Sequence, residues 1–312
     1  MEEIIAPVDK DVLEKELTDD KFVRFTNYGN NKVYIINYHN SPNVMTEIGR
    51  LRELAFRGAG GGTGKACDID ECDTRELPYQ QLIVWNEQDR EIIGGYRFID
   101  CSLPILGNNG EPQLSTSEIF NFSEKFITDY MPYTIELGRS FVQPKYQSRQ
   151  NFKQAIFALD NLWDGLGAIY KMNAGHIKYM FGKVTMYTTF NITARDYILT
   201  FLNKYFRDTE QLVTPKEAIK IQTQQNILDI FAGNDYKSDF KLLNKKVREL
   251  NENIPPLVNA YMNLSSTMKM FGTAINPFFG GVEETGILIT IDDVFPDKKA
   301  RHLDTFTPKK VI

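Results

Sequence analysis

Four short charged segments, spread over roughly ninety residues, constrain this chain more than anything else in it. They are Leu51-Arg52-Glu53-Leu54-Ala55-Phe56, Asp68-Ile69-Asp70-Glu71-Cys72-Asp73, Gly95-Tyr96-Arg97-Phe98 and Glu136-Leu137-Gly138-Arg139. The last three lie on or beside hydrophobic, strand-like stretches. Burying an unpaired charge there is expensive, so each must find a partner. Arg52, Arg97 and Arg139 can be balanced by Asp70, Asp73 and Glu136. The pattern predicts one polar cluster inside a fold, not a surface decoration.

The rest of the chain supplies an ample core for such a site, with 42% hydrophobic residues and 12% aromatics over 312 residues. A formal net charge of −5 argues against a general nucleic-acid binder, which needs a basic face. Met1-Glu2-Glu3 is acidic where a signal peptide is basic, and no apolar run approaches the roughly 20 residues of a membrane span. The expectation is a cytoplasmic protein, with peripheral contact to an anionic membrane left open. Cys67, Cys72 and Cys101 do not make a disulfide framework or a zinc-ligand set, and only His39, His176 and His302 are present. Reduced thiols and no metal are expected.

Periodicity predicts a strand over Lys32–Tyr38, a helix over Met45–Arg57 and a hairpin of Leu82–Trp85 with Ile92–Ile99. A helix over Ser117–Met131, a strand over Tyr133–Val142 and a long helix over Asn151–Met172 follow. Then come a strand (Ile177–Met186), a helix (Thr193–Phe206), a basic amphipathic helix (Lys237–Leu250), a proline-led helix (Pro255–Met270) and a last strand (Gly286–Ile291). Gly58–Gly64 fails as a phosphate loop, because it follows a helix and has Ala59 at the first required glycine. It reads either as a lid or as a plain linker.

In order and spacing, the charged segments resemble the acyl-homoserine-lactone synthases and the amino-acid N-acyltransferases of ornithine and glycine lipid synthesis, both of the GNAT superfamily. Arg52 and Phe56 match an arginine four residues ahead of a phenylalanine. Asp70 and Asp73 match an Asp-x-x-Asp, Arg97 a strand arginine, and Glu136 with Arg139 a Glu-x-x-Arg. Gly138-Arg139-Ser140 with Val142-Gln143-Pro144-Lys145-Tyr146, Leu162-Trp163-Asp164-Gly165-Leu166 and Tyr179-Met180-Phe181-Gly182 look like the lipid-forming branch. Cys72 stands where that branch has phenylalanine. The resemblance spans about Met45 to Ile291.

The resemblance implies an α/β (α+β) fold: a GNAT-type mixed, mostly antiparallel sheet flanked by helices. Residues 1–206 would form the acyltransferase core, and 207–312 a helical C-terminal elaboration plus a last strand. The implied reaction transfers a long, optionally 3-hydroxylated, fatty acyl group to the α-amine of glycine or ornithine. The donor would be an acyl-phosphopantetheine thioester, not a tightly bound cofactor. Gln147-Ser148-Arg149-Gln150 lacks the glycines of the usual pyrophosphate loop, which favours acyl carrier protein over coenzyme A.

By the same resemblance the pantetheine arm would run between splayed strands four and five. Glu136 would take the amine proton, with Arg139, Asp70 and Asp73 beside it as catalytic candidates. Arg52, Phe56 and Arg97 join the substrate-binding set, and an N–H near Phe141 or Val142 would meet the oxyanion. Lys145, Arg149 and Lys153 are candidates for docking an acidic carrier. Three alternatives stay open: a network that merely fixes the loop after the first helix, a homoserine-lactone-type synthase, and a non-catalytic lipid or carrier-binding module.

Overall fold

The structure, a computed structural model, describes residues 1–147, 152–221, 230–233 and 235–308. Its elements in chain order are α1 (Lys10–Glu16), β1 (Phe22–Phe25), β2 (Lys32–Ile36), α2 (Pro42–Gly58), α3 (Glu71–Thr74), β3 (Gln80–Asn86), β4 (Glu91–Asp100), β5 (Phe120–Phe122) and β6 (Thr134–Val142). They continue as α4 (Phe152–Met172), β7 (Tyr179–Met186), α5 (Ile192–Phe206), β8 (Val213–Pro215), α6 (Tyr236–Glu249), α7 (Pro256–Met262), β9 (Lys269–Asn276), β10 (Val282–Thr290) and α8 (Pro296–His302). The chain forms two compact units, Met1–Leu103 with Tyr133–Lys178 and Phe295–Ile312, and Pro104–Pro132 with Tyr179–Val294.

The first unit holds a sheet in the order β1-β2-β3-β4-β6, antiparallel throughout. Its core follows from alternation on each strand. Leu82 faces α4, and it approaches so closely that a Cβ on Gly165 would lie 2.6 Å from a Leu82 methyl carbon. That approach explains a glycine in mid-helix, where it is otherwise unfavourable. Ala158, Leu162, Leu166 and Ile169 make the buried stripe of α4, while Trp163 and Tyr170 sit half-buried at its margin. The other sheet face carries Gln81 and Arg97, and Arg52 of α2 donates to Gln81 across it. The sheet thus has an apolar side under α4, while its other side combines buried apolar residues such as Ile36 and Ile99 with the polar cluster.

The second unit pairs β7, β10 and β9 antiparallel, with β5 and β8 as a separate two-stranded ribbon. Tilted and edge-to-face contacts link Phe122, Phe126, Phe181 and Phe271 in its interior. Helix α6 is capped by Asp235, whose carboxylate accepts from Lys237 N and Ser238 N.

Two expected helices differ from what forms. Ser117–Met131 breaks into a 3₁₀ turn (Ser115–Glu118), the strand β5 and a π turn (Phe126–Tyr130). Phe120 and Phe122 are buried on either side of exposed Asn121, a strand alternation that the surrounding helical spacing masks. The proline-led helix stops at Met262, and Lys269–Asn276 is strand β9. Helices α1 and α8 and strand β1 lie in segments with no strong periodicity.

Glycine is required where β4 meets β6: a Cβ on Gly94 would sit 2.4 Å from the Phe141 carbonyl oxygen. Gly94→Ala is therefore expected to lose about 1–3 kcal/mol by overpacking two paired strands, read as a lower midpoint in urea denaturation.

Candidate active site

The cluster is assembled by register. Gln81 of β3 lies opposite Arg97 of β4, and Arg97 lies opposite Gly138 of β6. Residues paired across antiparallel strands share a face, and so do residues two apart on one strand. Tyr79, Gln81, Arg97 and Glu136 therefore project to the same side. Gly138, opposite Arg97, contributes no side chain to that face.

The acidic half comes from the segment after α2. Asp70 and Asp73 form a reciprocal capping box on α3: the Asp70 carboxylate accepts from Asp73 N, and the Asp73 carboxylate accepts from Asp70 N, each at 3.2 Å. The spacing of the Asp-x-x-Asp motif is thus a helix-start geometry, and it aims both carboxylates at the sheet. Arg97 Nη1 donates to both Asp70 oxygens at 2.7 and 2.6 Å and lies 3.4 Å from Asp73 Oδ2. Arg52, fully buried on α2, donates to Asp73 Oδ2 at 3.1 Å and to Gln81, whose amide in turn donates to Asp73 Oδ1 at 3.0 Å. Phe56, one helical turn beyond Arg52, is buried as well.

Arg139 enters differently. Gly95 pairs with Phe141 and Arg97 with Gly138, so β6 carries one extra residue there, a β-bulge. Arg139 takes φ +48° in that bulge, a left-handed conformation uncommon outside glycine. The bend brings its Nε to 3.0 Å from Asp68 Oδ2 and its Nη2 to 3.6 Å from Asp70 Oδ2. Asp68, Tyr79 and Gln81 are members that charge pattern and motif matching did not assign to the site. Beyond the bulge, Phe141 is buried and Val142 half-buried, opposite Gly95 and Gly94.

Glu136 is fully buried and accepts a hydrogen bond from the Tyr79 hydroxyl. The Tyr79 ring also lies under the Arg97 guanidinium, 5.0 Å from its centroid. Burial and the adjacent Glu136 charge push the Tyr79 phenol well above its usual range, so it stays a donor. Burial works to raise Asp70, but Arg97, then Arg139 and Arg52, outweigh it and hold that carboxyl well below the usual range. Burial lowers Arg52, opposed by Asp73 and Asp68. Burial also pushes Cys72 up to about 11, so a neutral thiol faces the site. Asp70, with a third of its side chain exposed, is the most accessible member and Arg139, 13% exposed, the next; Arg52, Asp73, Arg97 and Glu136 are buried.

The acetyltransferase (GNAT) domain family matches residues 51–156, the interval that carries this whole cluster. Over 307 residues the chain is 55% identical to the glycine N(alpha)-acyltransferase of Phocaeicola vulgatus, a match covering 98% of this chain and 94% of that protein. The chain belongs to this GNAT acyltransferase family. The protein of the same name from Bacteroides thetaiotaomicron is also 55% identical over 307 residues, covering 98% of this chain and 91% of that one. Among solved structures, that of FeeM, an N-acyl amino acid synthase from uncultured soil microbes, is similar at 10% identity with a TM-score of 0.38, covering 88% of this chain and 97% of that one.

Elsewhere on the acyltransferase, the far end of the glycine-rich loop is tied back to α2. The buried Glu53 carboxylate accepts from Thr63 N (3.0 Å), Thr63 Oγ1 (2.8 Å) and Gly64 N (2.8 Å), and pairs with Arg57 at 2.8 Å. One side chain of α2 thus ties down the loop that leads to Asp68. Lys145 is half-exposed and paired with Asp89 (3.4 Å) and Glu91 (2.8 Å). Arg149 and the side chain of Lys153 lie outside the described residues. Among the described residues no three His, Cys, Asp or Glu side chains converge as a metal site requires, and no helix is long and apolar enough to cross a membrane.

Two outcomes test this electrostatic account. Arg52→Ala leaves Asp73 buried with part of its compensation gone, and is expected to lose about 3–5 kcal/mol in urea unfolding. Asp70 has a folded-state value below its ordinary 3.8, so its stabilisation is complete above about pH 4 and is lost as pH falls through the lower folded value. Asp70→Asn should therefore flatten the acid limb of a stability–pH curve below pH 4 while leaving the slope above it unchanged.

Proposed function

We propose that this acyltransferase moves a long-chain fatty acyl group from the phosphopantetheine thioester of acyl carrier protein to the α-amine of glycine. The products are an N-acylglycine and the free carrier thiol. The observation that carries the reading is 55% identity along nearly the whole chain to two glycine N(alpha)-acyltransferases. The glycine-free Gln147-Ser148-Arg149-Gln150 segment ahead of α4 supports a carrier-protein donor, since coenzyme A would lack the usual backbone cradle for its pyrophosphate.

In this reading the glycine zwitterion docks at Asp70 and Arg139. Arg139 receives its carboxylate, and Asp70 attracts its ammonium before deprotonation. Arg52, Asp73 and Arg97 hold those two groups in place. The neutral amine attacks the thioester carbonyl; the C–N bond forms, the C–S bond breaks, and the amine proton passes to Glu136 and on to the departing thiolate. A backbone N–H at Phe141 or Val142, just beyond the bulge, meets the oxyanion.

The test is mass spectrometry of products from acyl carrier protein thioesters mixed with glycine, ornithine and serine. N-acylglycine is expected to dominate, and Glu136→Gln should lower kcat about 10²–10⁴-fold. Arg139→Ala should raise KM for glycine more than it lowers kcat. Acyl-coenzyme A consumed as fast as the carrier thioester would overturn the donor assignment, and preference for another amine would overturn the acceptor.

A further inference from the structure

The geometry points to Tyr79 as the positioning residue that aims Glu136, acting through a buried hydrogen bond. The inference rests on Glu136 being the base. Tyr79 is fully buried at the head of β3, next to its first strand residue, and shares a sheet face with Gln81, Arg97 and Glu136. It is fixed on two sides: its hydroxyl donates to Glu136, and its ring lies against Arg97 at 5.0 Å and Arg75 at 5.3 Å. Its backbone N–H donates to the Cys72 carbonyl at 2.9 Å, which ties it to α3 and hence to Asp70 and Asp73. Tyr79 therefore couples the arginine–aspartate network to the residue proposed to move the proton.

A phenol suits this place. It donates one proton without competing for the one the amine gives up, because burial and the Glu136 charge keep it neutral. The titratable and charged groups around the pair are Arg97 from β4, Asp70, Cys72 and Asp73 from α3 and its cap, Arg75 after α3, and Cys101 after β4. The guanidiniums stay charged and both thiols are pushed upward by burial, so neither type gains or loses a proton in the range where an amine is activated. A hydrogen bond to a carboxylate favours its ionised form.

The experiment is the pH profile of kcat at saturating glycine for wild type, Tyr79→Phe and Glu136→Gln. Glycine's own titration is common to all three proteins and cancels in the comparison. Tyr79→Phe should move the acid limb upward by about one pH unit, a roughly tenfold loss below the limb, and approach wild type on the plateau with KM for glycine little changed. A fluorinated tyrosine placed at position 79 keeps the shape and the hydroxyl but donates more strongly; it should move the limb the opposite way. This second variant decides the question if Tyr79→Phe does not fold. Equal loss at every pH, or an unmoved limb in the fluorinated protein, would overturn the role of Tyr79. If Glu136→Gln keeps near wild-type kcat, the base assignment falls instead, whatever Tyr79 does.

Discussion

The pairing of Arg97 with Asp70 and Asp73 is the interaction on which the rest of the first unit depends. A guanidinium in mid-sheet can close against a helix only if its charge is met there, and two carboxylates on a four-residue helix meet it. Asp73 is shared with Arg52, so the same carboxylate fixes the rotation of α2 over the sheet. Such a network is a weak source of net stability, because desolvation offsets most of the attraction. Its effect is on uniqueness: no shifted register of β3, β4 and β6 would keep Gln81, Arg97 and Gly138 in line.

From that fixed point the candidate site is built in layers. Arg52, Asp73 and Arg97 are sealed in, while Asp70 and, less so, Arg139 are the more exposed members. Glu136 stands to one side, reached from the network through the Tyr79 ring and hydroxyl. The Glu53 carboxylate adds a second constraint by gathering the glycine-rich loop onto α2, so the chain arrives at Asp68 from a fixed direction. If the proposed mechanism holds, a buried cluster built this way is oriented before the amine arrives and needs little reorganisation.

Much of this could be read from the chain because charge in an apolar stretch has few explanations. Arg52, Arg97, Glu136 and Arg139 announced themselves, and so did the Asp-x-x-Asp spacing. Tyr79, Gln81 and Asp68 did not. Tyr79 and Gln81 look like ordinary strand residues, and their role exists only through pairing with residues far along the chain. The same limit explains β9, which follows a proline-led helical run and is distinguished only by its partner β10. The loop after α2 differs: its composition suggests slack, while Glu53 of the adjacent helix anchors its Thr63–Gly64 end. Local spacing identifies which groups need partners; register determines which partners they get.

The bulge at Arg139 ties stability and chemistry together in opposite senses. An L-residue held at φ +48° is strained, and glycine would relieve that strain at once. Glycine would also delete the guanidinium that reaches Asp68 and Asp70. Drift toward a more stable backbone at this position therefore runs directly toward loss of the cluster's least buried cation, so the least comfortable residue in the strand is one that selection for folding alone would not keep.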